Sequence, residues 1–347
     1  MAREAGEEPS AARECRAAEV MVWAAAMIVP EKRYSWLRLL LKYRGTALPR
    51  MRGRLLVTTA LAVTVTFIDL RYGFFHPDLT VIPFTLIGLA LSIFLGFRNN
   101  TSYDRFWEAR KLWGQLVNTT RSLTRQILTL VGPLPIVDGE TASRVDPDEI
   151  QAFRKEMVYR VIAYVHCFRA HVRDQDRLDK LEPFLPKQEI EDLRLEINRP
   201  LAILQSMGSR VRDAWQKGWI HSMHVSVLEQ SFTSLTDIQG GCERIKNTPI
   251  PLSYTSLIHQ IVAGYCMALP FGIVKTVGQF TPLVVGFIAY AFFGLDAIGD
   301  EIEDPFGKDP NDLPLTTLSR MIEVNLRQRL GETDVPPLLK PIAGVLT

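Results

Sequence analysis

Within the run Leu79–Phe97, which carries no charge, Gly88, Ser92 and Gly96 recur at every fourth position. One residue on, Leu89, Ile93 and Phe97 recur at the same spacing. Small residues in this register let helix backbones approach closely in lipid, so the first set reads as a helix-packing stripe. The apolar set admits two uses. It faces lipid, or, where copies of the helix surround an axis, it forms a hydrophobic constriction that gates ions by dewetting. Spacing alone favours lipid; the second use would be permeation, in which no covalent bond changes.

Groups suited to covalent or metal chemistry are sparse. His221 and His224, at i and i+3, could share a metal ion, but no third ligand lies near them, and a structural role is the simpler reading. His259 and Gln260 fall inside an apolar span, where polar groups face protein or water, and read as interhelical hydrogen-bond partners. Cys15, Cys167, Cys242 and Cys266 form no CxxC pair and no even-spaced framework, which suggests buried thiols rather than zinc or disulfides. GxSxG, HExxH and GxxxxGK[ST] do not occur. An enzyme needs acids, bases or ligands gathered in a pocket, and no such set appears at motif spacing. Two classes stay open at this point, the first being a passive, oligomeric ion channel without catalytic residues. The alternative is a membrane-anchored scaffold or enzyme acting through its cytoplasmic part.

The elements that must position these residues follow from the distribution of charge. The chain has 347 residues, and its 40 basic and 38 acidic side chains nearly cancel, so the net charge of +2 points to no nucleic-acid partner. Uncharged windows run over 55–68, 79–97, 249–274 and 276–295, apart from His259. A membrane crossing needs roughly 20 apolar residues. The windows predict four transmembrane helices. Between Lys32 and Arg54 stand eight lysines and arginines, with Glu31 the one acid beside them. By the positive-inside rule both termini and the long middle segment are cytoplasmic, in the cell (inner) membrane.

Residues 98–248 contain no hydrophobic span and show helical periodicity throughout, which predicts a cytoplasmic helical bundle. One long helix is expected to leave the bilayer near Phe97 and continue past Gly114, with Arg98 snorkelling to headgroups and Asp104, Glu108 and Lys111 pairing along a solvated face. The fold class expected is an all-α membrane protein. Its divisions are a disordered extension over 1–26, the first two spans within 27–97, the cytoplasmic bundle over 98–248, the last two spans over 249–296 and a cytoplasmic tail over 297–347.

The stretch "IPFTLIGLALSIFLGFRNNTSYDRFWEARKLWG" resembles the bestrophin family of ion channels, specifically its bacterial members. "LRLLLKYRGT", "IPLSYT" and "DEIEDPFG" agree with it in order, and the resemblance covers about residues 28 to 330. It implies a homo-pentamer in the lipid bilayer around one central pore that conducts monovalent ions. It places the pore neck at Leu89, Ile93 and Phe97, and a second, cytoplasmic constriction at Ile245 or Thr248. Animal members carry an aromatic residue in mid-neck, where this chain has Ile93, and conduct chloride under calcium control. At least some bacterial members prefer monovalent cations, so either sign of ion fits the resemblance. The animal calcium clasp corresponds to Glu301, Asp304, Asp309 and Asp312 as oxygen donors. Here its acidic run reads "KDPND", interrupted by Lys308 and Pro310. No cofactor is expected unless calcium binds there. Solvation of these acids, together with Asp296 and Asp300 on the same face, is the competing reading.

Overall fold

The computed structural model describes residues 27–28, 45–73, 81–133, 146–309, 311–341 and 345–346. The expected N-terminal extension, Cys15, most of the basic run and of "LRLLLKYRGT", and Pro310 lie outside the described residues. Nine α-helices occur among those described. They are α1 (Leu48–Tyr72), α2 (Ile82–Leu130), α3 (Pro147–Val172), α4 (Lys187–Arg194), α5 (Arg199–Gln216), α6 (Ser222–Asn247), α7 (Leu252–Val277), α8 (Thr281–Glu303) and α9 (Leu315–Arg329). Met27–Ile28 pairs antiparallel with Val345–Leu346, a short ladder that the sequence pattern did not announce.

Local chemistry sets the helix ends. Proline stands in the first turn of α1, α2, α3, α5 and α8, where its missing N–H costs nothing and its fixed φ suits the helix. Asp146 and Asn198 accept backbone N–H groups at the starts of α3 and α5. Gly73 ends α1 at φ 59°, a left-handed conformation that glycine adopts without strain.

α2 is the organising element. Its 49 residues run without a break from the uncharged window into the polar bundle. At about 1.5 Å per residue it extends about 70 Å, more than twice a bilayer's hydrocarbon thickness. Its polar half joins α3, α5, α6 and α9 in one large core, in which Trp113 stacks on Phe168 at 5.6 Å. α3 and α6 match the periodicity closely. The short α4 and the C-terminal α9 were not apparent from it.

Three stretches are long and apolar enough to cross a membrane: α1, α2 and Leu252–Glu303, the last being α7 and α8 joined at the turn Gly278–Phe280. Their cores are small. Met51, Leu91, Leu95, Val262 and Phe293 anchor one cluster, and Ala62, Leu269, Ile273 and Val285 another. No more than 33% of the apolar window in any of the three is buried within the chain. Apolar surface on that scale needs lipid or a second protein surface against it.

Candidate functional site: an apolar helix face beside a buried ionic cluster

The apolar half of α2 packs through Gly88, Leu91, Leu95 and Arg98, all buried. At about 100° per residue, Leu89, Ile93 and Phe97 fall on the opposite side of the helix. They are 63%, 51% and 61% exposed within the chain. The small-residue stripe divides. A Cβ on Gly88 would stand 2.7 Å from the Tyr265 hydroxyl of α7, so that position is a close contact inside the chain. Ser92 is exposed and bonds only back to the Gly88 carbonyl at 2.7 Å, and a Cβ on Gly96 would meet nothing within 4 Å.

Arg98 corrects an expectation. It does not snorkel: it is 0% exposed. Its guanidinium bonds Asp296 Oδ1 at 2.8 Å and also bonds Asp300, with Glu303 4.0 Å away. Asp296, likewise 0% exposed rather than solvated, accepts Arg54 of α1 at 3.1 Å and faces His259 Nδ1 of α7 at 2.7 Å through its other oxygen. His259 Nε2 lies 3.4 Å from Asp300. One cluster thus ties together α1, α2, α7 and α8. Asp296, Asp300 and Glu303 recur three or four apart and share one face of α8. Gly299 lies within that turn, where a Cβ would sit 2.4 Å from the Asn99 side-chain oxygen. The expected interhelical bond of His259 is present. Its partners were hidden because Arg98 and the aspartates each looked like ordinary boundary charges, although intramembrane ionisable groups usually pair. Lys275 and Asp69 form a second interhelical pair, 2.6 Å apart at the far ends of α7 and α1.

Where α2 becomes polar, Arg105 donates to the carbonyls of Ile245, Thr248 and Glu303. It thereby holds the end of α6 against α8. Of the two expected constriction positions, Ile245 is buried in the bundle core, so its side chain cannot line an opening formed outside it. Thr248 is exposed. Glu108 pairs across to Arg244 of α6 rather than along its own helix, and Lys111 lies over the Trp107 ring.

The clasp-like acids do gather, but around Arg50 of α1. Its guanidinium stands 2.6 Å from Asp309 and 3.7 Å from Glu301. Asn311 donates to Glu301, the Phe306 N–H to Asp304, and the Asp309 N–H to Asp312. A guanidinium already fills the cation's role, and the four acids do not fit calcium as they stand. Among the described residues, the group of three ligand atoms within 4.8 Å of one another is His259, Asp296 and Asp300, where Arg98 and Arg54 occupy the carboxylates. His221 caps the start of α6 through Nδ1, with His224 edge-on beside it, a structural arrangement. Cys167, Cys242 and Cys266 are free and buried.

Burial, reinforced by Asp309, Asp304 and Glu301, pushes Asp312 up from its ordinary 3.8 to about 7. Between those values the folded chain holds a proton that the unfolded chain has lost. The contribution of Asp312 to stability therefore falls as pH rises from 3.8 to about 7 and is level above it. Asp312→Asn keeps an acceptor for the Asp309 N–H and is expected to flatten that slope. Melting temperature against pH for the two proteins, unchanged in slope, would refute the assignment.

The family profile described as Bacterial/Fungal Bestrophin protein matches residues 27–328. A voltage-dependent anion channel-forming protein of Ralstonia nicotianae is 41% identical over 300 residues, covering 86% of this chain and 94% of its own. The Escherichia coli K12 voltage-dependent anion channel-forming protein YneE is 33% identical over 315 residues, 91% of this chain and 98% of its own. The crystal structure of a bacterial bestrophin homologue from Klebsiella pneumoniae superposes with a TM-score of 0.73 at 30% identity, covering 83% of this chain and all of that one. This is a membrane protein built of helices. The chain belongs to the bacterial and fungal bestrophin family.

Proposed function

We propose that this protein is a pore-forming channel that passes monovalent ions, anions foremost, down their gradient across the cell (inner) membrane. The observation that carries the reading is the exposed stripe Leu89, Ile93 and Phe97, opposite the packed face of α2. Copies of the chain, a pentamer by family resemblance, turn that stripe toward a common axis, where it forms the neck. Thr248 lines a second constriction below it. Relatives named as anion channel-forming support the sign of the ion.

Four crossings follow: α1, the apolar half of α2, α7 and α8. Two features support an even number with both termini on the cytoplasmic side. The segments at 27–28 and 345–346 pair with each other. Arg50 at the start of α1 meets Asp309 just past the end of α8, while Lys275 and Asp69 meet at the other end. Reconstitution of purified protein in a planar bilayer under a chloride gradient tests the function. Unitary currents that reverse near the chloride equilibrium potential are expected. Currents indistinguishable from bare lipid would sink the channel reading, and reversal near the cation potential would sink the anion preference.

Ser92 and Gly96 lie uncovered in the single chain, and in the assembly they are the close approach to a neighbouring copy. Ser92→Leu overfills that contact, at a cost of about 1–3 kcal/mol per interface. It is expected to shift the detergent-solubilised protein toward monomer. A wild-type mass by light scattering, with an unchanged melting temperature, would count against the contact.

A further inference from the structure

Arg169, one turn before the end of α3, is 8% exposed, and its Nε is shut away from solvent with no acceptor. Among the described residues no hydrogen bond or ion pair engages this guanidinium. The two other arginines buried to this degree are compensated. Arg98 has Asp296 and Asp300, and Arg160 has Glu156 and Glu189. A guanidinium cannot shed its proton in a protein. A charge withdrawn from water without a partner is strongly penalised. Of the three buried arginines, Arg169 alone lacks a bonded carboxylate among the described residues.

The surroundings say what kind of anion. Burial, then the charges of Arg177 and Arg320, hold the pKa of Arg169 below its ordinary value, against the opposing pull of Glu323 and Asp179. Both carboxylates are already committed. Glu323 serves His166 at 3.0 Å, Arg320 at 3.2 Å and Arg327 at 3.8 Å. Asp179 serves Arg177 at 3.2 Å and Lys180 at 3.7 Å. Arg173, one turn beyond Arg169, donates to the carbonyls of Phe306 and Leu313 and to the Thr316 hydroxyl, with no carboxylate among its partners. Asp174 and Asp176 of the segment after α3 are taken by Lys246 and Arg199, so positive charge without a carboxylate of its own remains where α3, that segment and α9 meet. Its carriers are guanidiniums, whose planar forks match the oxygens of a phosphate better than a spherical ion.

We propose that Arg169, with Arg177 and Arg320, forms an oxyanion site that takes a phosphate group. The group is either free phosphate or the phosphodiester of an anionic lipid headgroup. The site is separate from the apolar stripe and does not depend on conduction.

The test uses the full-length protein in detergent, titrated with inorganic phosphate at ionic strength held constant with sodium chloride, and followed by calorimetry. Native mass spectrometry of the same preparation reads lipid that survives purification, and binding to vesicles with and without phosphatidylglycerol supplies the second arm. Saturable phosphate binding is expected, weakened about ten- to a hundredfold in Arg169→Gln. Arg320→Gln, at a partly exposed position, reports in the same direction if the Arg169 variant fails to fold. Retained phosphatidylglycerol that both variants lose, with no response to free phosphate, identifies a headgroup as the source. A wild-type protein that binds neither probe, or variants that bind both as wild type does, would overturn the site.

Discussion

Replacing Arg98 by Gln is expected to destabilise the protein by about 3–5 kcal/mol, the range found when one member of a buried ion pair is removed. The cause is the carboxylate left behind. Asp296 is 0% exposed and depends on Arg98 at 2.8 Å, with Arg54 and His259 sharing its other oxygen. Removing Arg98 also strips Asp300 of its cation and frees α2 from α8 at the level where the helix changes character. Asp296→Asn alone leaves Arg98 with Asp300 and should cost less. In the double variant Arg98→Gln, Asp296→Asn both charges of the pair are gone, so part of the loss should return, and the shortfall from additivity measures the coupling. Thermal and denaturant unfolding in detergent give the values. A loss below about 1 kcal/mol, as for an exposed pair, would mean that Arg98 reaches headgroups after all.

Arg98 also shows where a sequence stops being informative. Its neighbours in the chain, Phe97 and Asn99, mark a boundary between oil and water, and a cation there has an obvious solvent-facing explanation. Its partners lie about two hundred residues away on α8, and periodicity carries no information across that distance. The helices themselves were readable because each depends on local pattern. α3 needs only its apolar spacing, Pro147 and the Asp146 cap. α9 carries no clear local signal because it follows "DPNDLP" and holds six charged or amide side chains among fifteen residues, while its apolar face is completed by the distant α3 and α2. The stripe at Leu89 was visible for the same reason as the helices: spacing within one element defines it. Which way it faces is a property of the assembled fold. The burial of Gly88, Leu91 and Leu95 on the other side narrowed that choice, and the burial of Ile245 did the same for the lower constriction.

Shortening the stripe should produce the largest change in function. Leu89, Ile93 and Phe97 present apolar walls without a charge or a carbonyl, so a pore they line selects by its width and by the cost of stripping water from the ion. That cost climbs steeply as a ring narrows, because a bare ion in a low-dielectric wall is penalised by many kcal/mol. Replacing all three by Ala widens and wets the neck, and conductance and open probability are both expected to rise. A gain of about tenfold requires lowering the barrier by only about 1.4 kcal/mol. The side chains are exposed within the chain, so the substitution removes little intrachain packing, and the protein should still fold. Ile93→Phe works in the other direction. An aromatic edge is positive at its rim, and a ring of such edges at mid-neck favours anions, so the permeability ratio should move toward chloride. Unitary conductance and reversal potential under a salt gradient, for wild type and both variants, decide the matter. If neither quantity moves in either variant, the stripe faces lipid and the ion path runs elsewhere.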